Sequence, residues 1–220
     1  MAGIERRALE CAVEWRAATG DAEGVGTLAG YAAKFHSLSR DLGGWAEIVE
    51  PGAFGGVDAE GRVDLEVHGR VMARVNHDSN RLIGTTDAGT LRLFVDELGL
   101  RYEVDLPATT VGRDLAVLAK RGDVRFSSFA FRVPPDGAKW AYDDDDRLVR
   151  HIASARLVDV APVADPAYWE TSSELQRSFD LEAIKASLSR EKSEPTASRA
   201  RIAVIAQAWE NTIALKGTVK

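Results

Sequence analysis

Cysteine is almost missing from this chain of 220 residues: Cys11 stands alone. One thiol can neither close an internal disulfide nor build a cysteine metal cluster, and that usage fits a reducing, cytosolic setting. Long hydrophobic runs are missing too. No stretch approaches the roughly 18 consecutive apolar residues of a membrane span, and the first ten residues are charged where a signal peptide would carry an apolar core. Positive charge is not in excess. With 28 Lys and Arg against 34 Asp and Glu, the formal net charge is -6, which disfavours nucleic acid and anionic membrane as partners because both would be repelled.

What is present is enough hydrophobic sequence, 45% of the residues, for one main globular domain with peripheral segments. Three zones are expected: an N-terminal extension over 1–23, a core domain over 24–170, and a helical or partly disordered tail over 171–220. The core zone reads as short β-type runs punctuated by Gly and Pro. Residues 25–35 alternate loosely, residues 91–95 and 100–106 flank a four-residue hairpin loop at Asp96-Glu97-Leu98-Gly99, and 124–133 and 148–160 are further strands. The run Asp143-Asp144-Asp145-Asp146 suits an exposed hairpin tip and lacks the alternating ligands and glycine of a calcium loop.

Residues 107–120 predict the one internal helix, capped by Thr109 or Thr110 and closed by Gly122. In the tail, 171–190 and 200–215 have helical spacing around a linker at Pro195. Ile202, Ile205, Trp209 and Ile213 form an apolar stripe that the core or a partner must cover, core packing being the commoner use.

Two places carry chemistry. Asn76-His77-Asp78 puts a histidine in a polar turn at a strand end, and Phe126-Ser127-Ser128-Phe129-Ala130-Phe131 puts hydroxyls in an apolar strand. Together they hold the parts of a serine nucleophile activated at neutral pH. Taken singly, such a histidine is more often a surface turn residue and such serines are ordinary strand residues. Period-2 alternation places Ser127 with Phe129 and Phe131, and Ser128 on the opposite face with Phe126 and Ala130. A third group would have to orient the imidazole. Read as one strand, 150–160 places His151, Ala153, Ala155, Leu157 and Asp159 on one face. Asp159 lies in an apolar run, Leu157-Val158-Asp159-Val160-Ala161, where an ionised carboxylate requires a partner. An arginine or a histidine would serve equally.

An ordered series of short motifs then matters more than any one of them. Glu50-Pro51-Gly52-Ala53-Phe54, Asn76-His77-Asp78, Leu82-Ile83-Gly84, Gly89-Thr90-Leu91, Gly99-Leu100, Leu106-Pro107, Arg121-Gly122-Asp123-Val124, Ser128-Phe129-Ala130-Phe131, Leu157-Val158-Asp159-Val160 and Val163-Ala164-Asp165-Pro166-Ala167-Tyr168 follow one another over residues 24–170. In this order they resemble the tailed-phage prohead proteases, capsid-maturation serine peptidases related in fold to the herpesvirus assemblins. The resemblance does not extend to the tail.

The resemblance implies His77 as general base, Ser128 as nucleophile and Asp159 as the third, orienting member. Asp159 stands where the family usually has Glu, one methylene longer, and Ala130 stands where the family usually has Gly. His151 is the alternative third member, since assemblins use a second histidine. The resemblance implies no cofactor and no metal. It implies a capsid or scaffold protein as substrate, then the protease itself, in the host bacterial cytoplasm inside the assembling procapsid, with self-association possible; the charge balance adds the expectation of no nucleic acid or membrane partner. Arg121, Gly122 and Arg125 are near enough in sequence to be considered for an oxyanion hole. Two other function classes fit the composition: a non-catalytic scaffold or assembly protein with a protease-like fold, and a general soluble peptidase or esterase. For fold, short strands with few helices predict an α+β protein with a mainly antiparallel β-barrel-like core surrounded by helices and a helical C-terminal tail. The resemblance implies that this core is herpesvirus-protease-like.

Overall fold

The computed structural model describes residues 3–9, 12–18, 24–165 and 179–193. In chain order its elements are β1 (Glu5–Leu9), β2 (Glu14–Arg16), β3 (Gly26–Lys34), β4 (Ala46–Val49), α1 (Leu65–His68), β5 (Met72–Arg74), a 3-10 turn (Val75–His77), β6 (Leu82–Thr85), β7 (Leu91–Val95), β8 (Gly99–Leu106), α2 (Thr110–Arg121), β9 (Phe126–Arg132), β10 (Ala138–Tyr142), β11 (Leu148–Ile152), β12 (Arg156–Val163) and α3 (Leu181–Ser193). The described residues fall into two compact units, one up to Phe179 and one from Asp180.

Strict alternation builds the first sheet. In β8, Leu100, Tyr102, Val104 and Leu106 are buried while Arg101, Glu103 and Asp105 point outward, the period of a half-buried strand. β7 pairs with it as the expected hairpin, Leu91 opposite Val104 and Val95 opposite Leu100, and the Asp96 carboxylate accepts the loop amides of Leu98 and Gly99. With β3 on the other side of β8 and β2 beyond it, the order is β2-β3-β8-β7.

The central sheet has the order β1-β9-β12-β5-β6, and a three-stranded sheet has the order β10-β11-β4. The pairs β12–β5 and β11–β4 are parallel. These sheets correct the expected barrel. The central sheet ends at β1 on one side and β6 on the other, no ladder joins these edges among the described residues, and all three sheets are open. A barrel needs a continuous tilted ladder, and the chain breaks that ladder where the sequence reads as one strand. Residues 148–160 are two strands: the amides of Ala153 and Ser154 both turn to the Gly137 carbonyl and that of Ala155 to Ala53, so β11 and β12 serve different sheets. The fold is α+β with mixed sheets and few helices.

α2 starts at Thr109, whose hydroxyl accepts the Gly112 amide at 3.3 Å, and stops at Gly122 in the left-handed region with φ of 82°. Gly tolerates this conformation without steric conflict. Leu115 on its inner face joins the core of Leu28, Phe54, Tyr102, Phe129, Phe131 and Leu157. Phe129 and Phe131 stack at 4.8 Å, which fixes the face of β9 that looks into the core. His68 of α1 is also in the interior, bonded to the Phe54 carbonyl through Nε2 and accepting the Leu157 amide at Nδ1, so it is neutral and structural. Within the C-terminal unit, α3 is capped by Asp180, whose carboxylate accepts the Ala183 amide. The expected helix over 200–215 lies outside the described residues.

Candidate active site

The serine is prepared by strand parity. Ser127 turns inward and its hydroxyl meets the Tyr102 hydroxyl at 3.0 Å; a side chain at Gly30 would come within 2.7 Å of it, so glycine there makes the room. Ser128 turns the other way. Its cross-strand neighbours are Ala8 on β1 and Ala161 on β12, and two methyl groups beside the hydroxyl leave space for an imidazole.

The carboxylate arrives on that same face because β12 carries a bulge. Leu157 pairs with Phe131 and Asp159 with Ala130, with Val158 as the extra residue. Simple alternation would keep Leu157 and Asp159 on one face, but a bulge re-aims the chain. Leu157 enters the core and Asp159 joins the Ala130 and Ser128 face. The grouping of His151 with Asp159 by parity fails for the further reason that the two lie in different strands.

The histidine is delivered by a strained turn. β5 runs parallel to β12 with Met72 beside Asp159, then enters a turn in which Asn76 and His77 have φ of 54° and 57°. Left-handed backbone is disfavoured for residues with a Cβ, Asn being among the more tolerant. The surroundings hold it: Asn76 Oδ1 accepts the Ala164 amide at 3.3 Å, the Val75 amide reaches the Arg81 carbonyl, and the Asp78 amide returns to Val75. The imidazole therefore meets two partners at once, Asp159 Oδ1 at 2.5 Å through Nδ1 and Ser128 Oγ at 2.6 Å through Nε2. An ionised carboxylate can only accept, so Nδ1 carries the proton and Nε2 offers its lone pair to the serine. Ser128 Oγ also lies 2.9 Å from the Arg7 carbonyl, so one hydroxyl proton has two acceptors. Asp159, His77 and Ser128 form one hydrogen-bonded chain, with the side chains of Asp159 and His77 3% and 11% exposed and Ser128 buried.

His151 is elsewhere, on β11, bonded to Glu50 at 2.7 Å. Arg121 pairs with Asp123 at the surface, Gly122 closes α2, and the Arg125 guanidinium lies over the Phe126 ring; each of the three has another partner.

Two groups near the site were not expected. Arg74 donates to Asp159 Oδ2 at 3.2 Å. Deeper in, Arg7 bonds both oxygens of Glu47 and also Glu5, and Arg150 bonds Glu5 and Glu47, tying β1 to β4 and β11. Burial alone would lower the Arg7 pKa, but the Glu47 and Glu5 carboxylates outweigh it and hold the guanidinium above its ordinary value. The N-terminal segment thereby supplies both an edge strand of the central sheet and a carbonyl beside Ser128. The signal was present as opposite charges inside apolar runs, Glu47 within Trp45-Ala46-Glu47-Ile48-Val49 and Arg150 within Leu148-Val149-Arg150-His151-Ile152.

Comparison with known proteins gives the chemistry a family. Residues 12–186 match the family described as caudovirus prohead serine protease. The chain belongs to the caudovirus prohead serine proteases. No curated protein and no solved structure matches it. As a prohead protease it is a hydrolase of peptide bonds that works in the maturation of a tailed-phage capsid.

Proposed function

We propose that this prohead protease cleaves the capsid or scaffold protein by acyl transfer through Ser128, with His77 as general base and Asp159 as the group that orients and stabilises the imidazole. The observation that carries this reading is the unbroken path Asp159 to His77 Nδ1, and His77 Nε2 to Ser128 Oγ. His77 Nε2 takes the Ser128 proton as Oγ bonds to the peptide carbonyl carbon. The same proton then passes to the departing amine, leaving an acyl-enzyme that water hydrolyses with His77 again as base. Asp159 stays ionised throughout and faces the imidazolium that forms in each step. The tetrahedral intermediate needs N–H donors about 2.7–3.1 Å from its oxyanion.

The reading extends to where and on what the enzyme works: the capsid protein or its scaffold inside the assembling procapsid, in the host bacterial cytoplasm, and after that the protease itself. Residues 24–170 would be the peptidase domain, with β1 and β2 of the 1–23 extension built into its sheets. Residues 171–220 would be a tail that anchors it to shell or scaffold until autocleavage. Coexpression with the capsid protein tests the activity: Ser128→Ala should leave the capsid protein at full length on a gel, and processing that continues unchanged removes Ser128 as nucleophile. A tailless chain that still enters proheads at the normal level removes the anchoring role.

A further inference from the structure

We propose that Arg74 is a positioning residue for this reaction: its guanidinium holds one oxygen of Asp159 so that the other is kept on His77. The inference rests on the reading of Ser128, His77 and Asp159 given above. A carboxylate turns readily about its last side-chain torsion, which has a broad, two-fold preference, and a buried Asp with a single partner can swivel off it. Asp159 has two. Arg74 Nη1 donates to Oδ2 at 3.2 Å while His77 Nδ1 is on Oδ1 at 2.5 Å, so rotation in either direction breaks both bonds.

The placement follows from the sheet. Met72 lies beside Asp159 in the parallel ladder, Arg74 is two residues on and on the same side of β5, and its guanidinium folds back across the Met72 sulfur at 2.8 Å to reach the carboxylate. The same short segment delivers both the clamp and, three residues later, the imidazole.

Arg74 does not look like an arginine placed for stability. Arg7 distributes its donors over two carboxylates and a carbonyl. Arg74 has a single oxygen partner and a thioether that accepts weakly. Its side chain is 19% exposed against 3% for Asp159, so the guanidinium sits between the buried carboxylate and water, where a small cation could replace it.

The test uses the full-length protein and a fluorophosphonate probe, which needs no knowledge of the natural cleavage site. Ser128 Oγ attacks phosphorus, fluoride leaves, and the serine proton passes to His77. Labelling of the wild type at Ser128 that is lost in Ser128→Ala speaks for the nucleophile alone; its absence removes the reading beneath this proposal, whatever Arg74 does. Given labelling, Arg74→Met should lower the maximal rate by about 10–100-fold, by analogy with the outer groups that orient metal-bound ligands, with little change in the half-saturating probe concentration. Arg74→Lys should recover part of the loss, and millimolar guanidinium should raise the rate of Arg74→Ala. Wild-type rates in Arg74→Met overturn the proposal. So does a slow variant that neither lysine nor added guanidinium improves, since that pattern is a packing defect. Should Arg74→Met not fold, Arg74→Gln carries the same measurement.

Discussion

On the four-stranded sheet, Arg92 holds Asp105 at 2.6 Å with side chains 36% and 46% exposed. In the central sheet, Arg74 holds Asp159 at 3.2 Å with the carboxylate almost wholly buried. The shorter contact belongs to the pair that matters less. Between solvated partners the Coulomb gain is screened and offset by side-chain ordering, and such pairs contribute 0–1 kcal/mol as a rule. A buried carboxylate has no water to fall back on, so each partner it loses is felt in full. The same contrast separates the two serines of β9. Ser127 bonds into the core and Ser128 to His77, one residue apart.

The largest effect that can break this comparison is on activity. Ser128→Ala should reduce peptide cleavage by about 10⁴-fold or more, as removal of a nucleophile does in other serine hydrolases, while Ser127→Ala should retain activity and lose about 1 kcal/mol of stability with its bond to Tyr102. Comparable losses of activity in both would remove the parity assignment. Next comes Glu47→Leu. It leaves Arg7 and Arg150 with Glu5 as their shared carboxylate, and denaturant unfolding should show a loss of about 3–5 kcal/mol. An unchanged midpoint would mean that the buried cluster is no more important than the surface pairs.

Asn76→Ala should cost about 1–2 kcal/mol, from a left-handed backbone and a lost bond to the Ala164 amide, and Asn76→Gly should recover the backbone part. Asp105→Asn should do least, at most about 1 kcal/mol. The hydrogen bond from Arg92, outweighing partial burial, holds the Asp105 carboxyl below its ordinary pKa. A depressed folded pKa gives stability that is present above the unfolded pKa and lost as pH falls through the folded one. The difference between variant and wild type should therefore be seen at neutral pH and fade in acid. A difference that persists in acid would point to packing rather than charge.

Much of the site was legible because local rules produce it. Alternation in Phe126-Ser127-Ser128-Phe129 separates the hydroxyls, β7 and β8 follow from the apolar pattern around Asp96-Glu97-Leu98-Gly99, and Thr109 and Gly122 bound α2 as caps should. What was not legible depends on non-local geometry. The bulge at Val158 has no distinctive residue to announce it, and without it the face of Asp159 cannot be counted from Leu157. The break between β11 and β12 is set by a carbonyl at Gly137 that accepts two amides from a distant segment, and that break is part of why an open set of mixed sheets replaces the expected barrel. Arg74 and Arg7 were missed because arginines on short strands look solvent-facing until the strand beside them is known.

Which oxygen reacts, and whether His77 makes it do so, decides the roles of Ser128 and His77. Full-length protein treated with a fluorophosphonate probe, digested and mapped by mass spectrometry, should carry one adduct, on Ser128, with Ser127 unmodified and the adduct lost in His77→Ala. An adduct on another residue, or labelling of Ser128 that proceeds unchanged without His77, would contradict those roles.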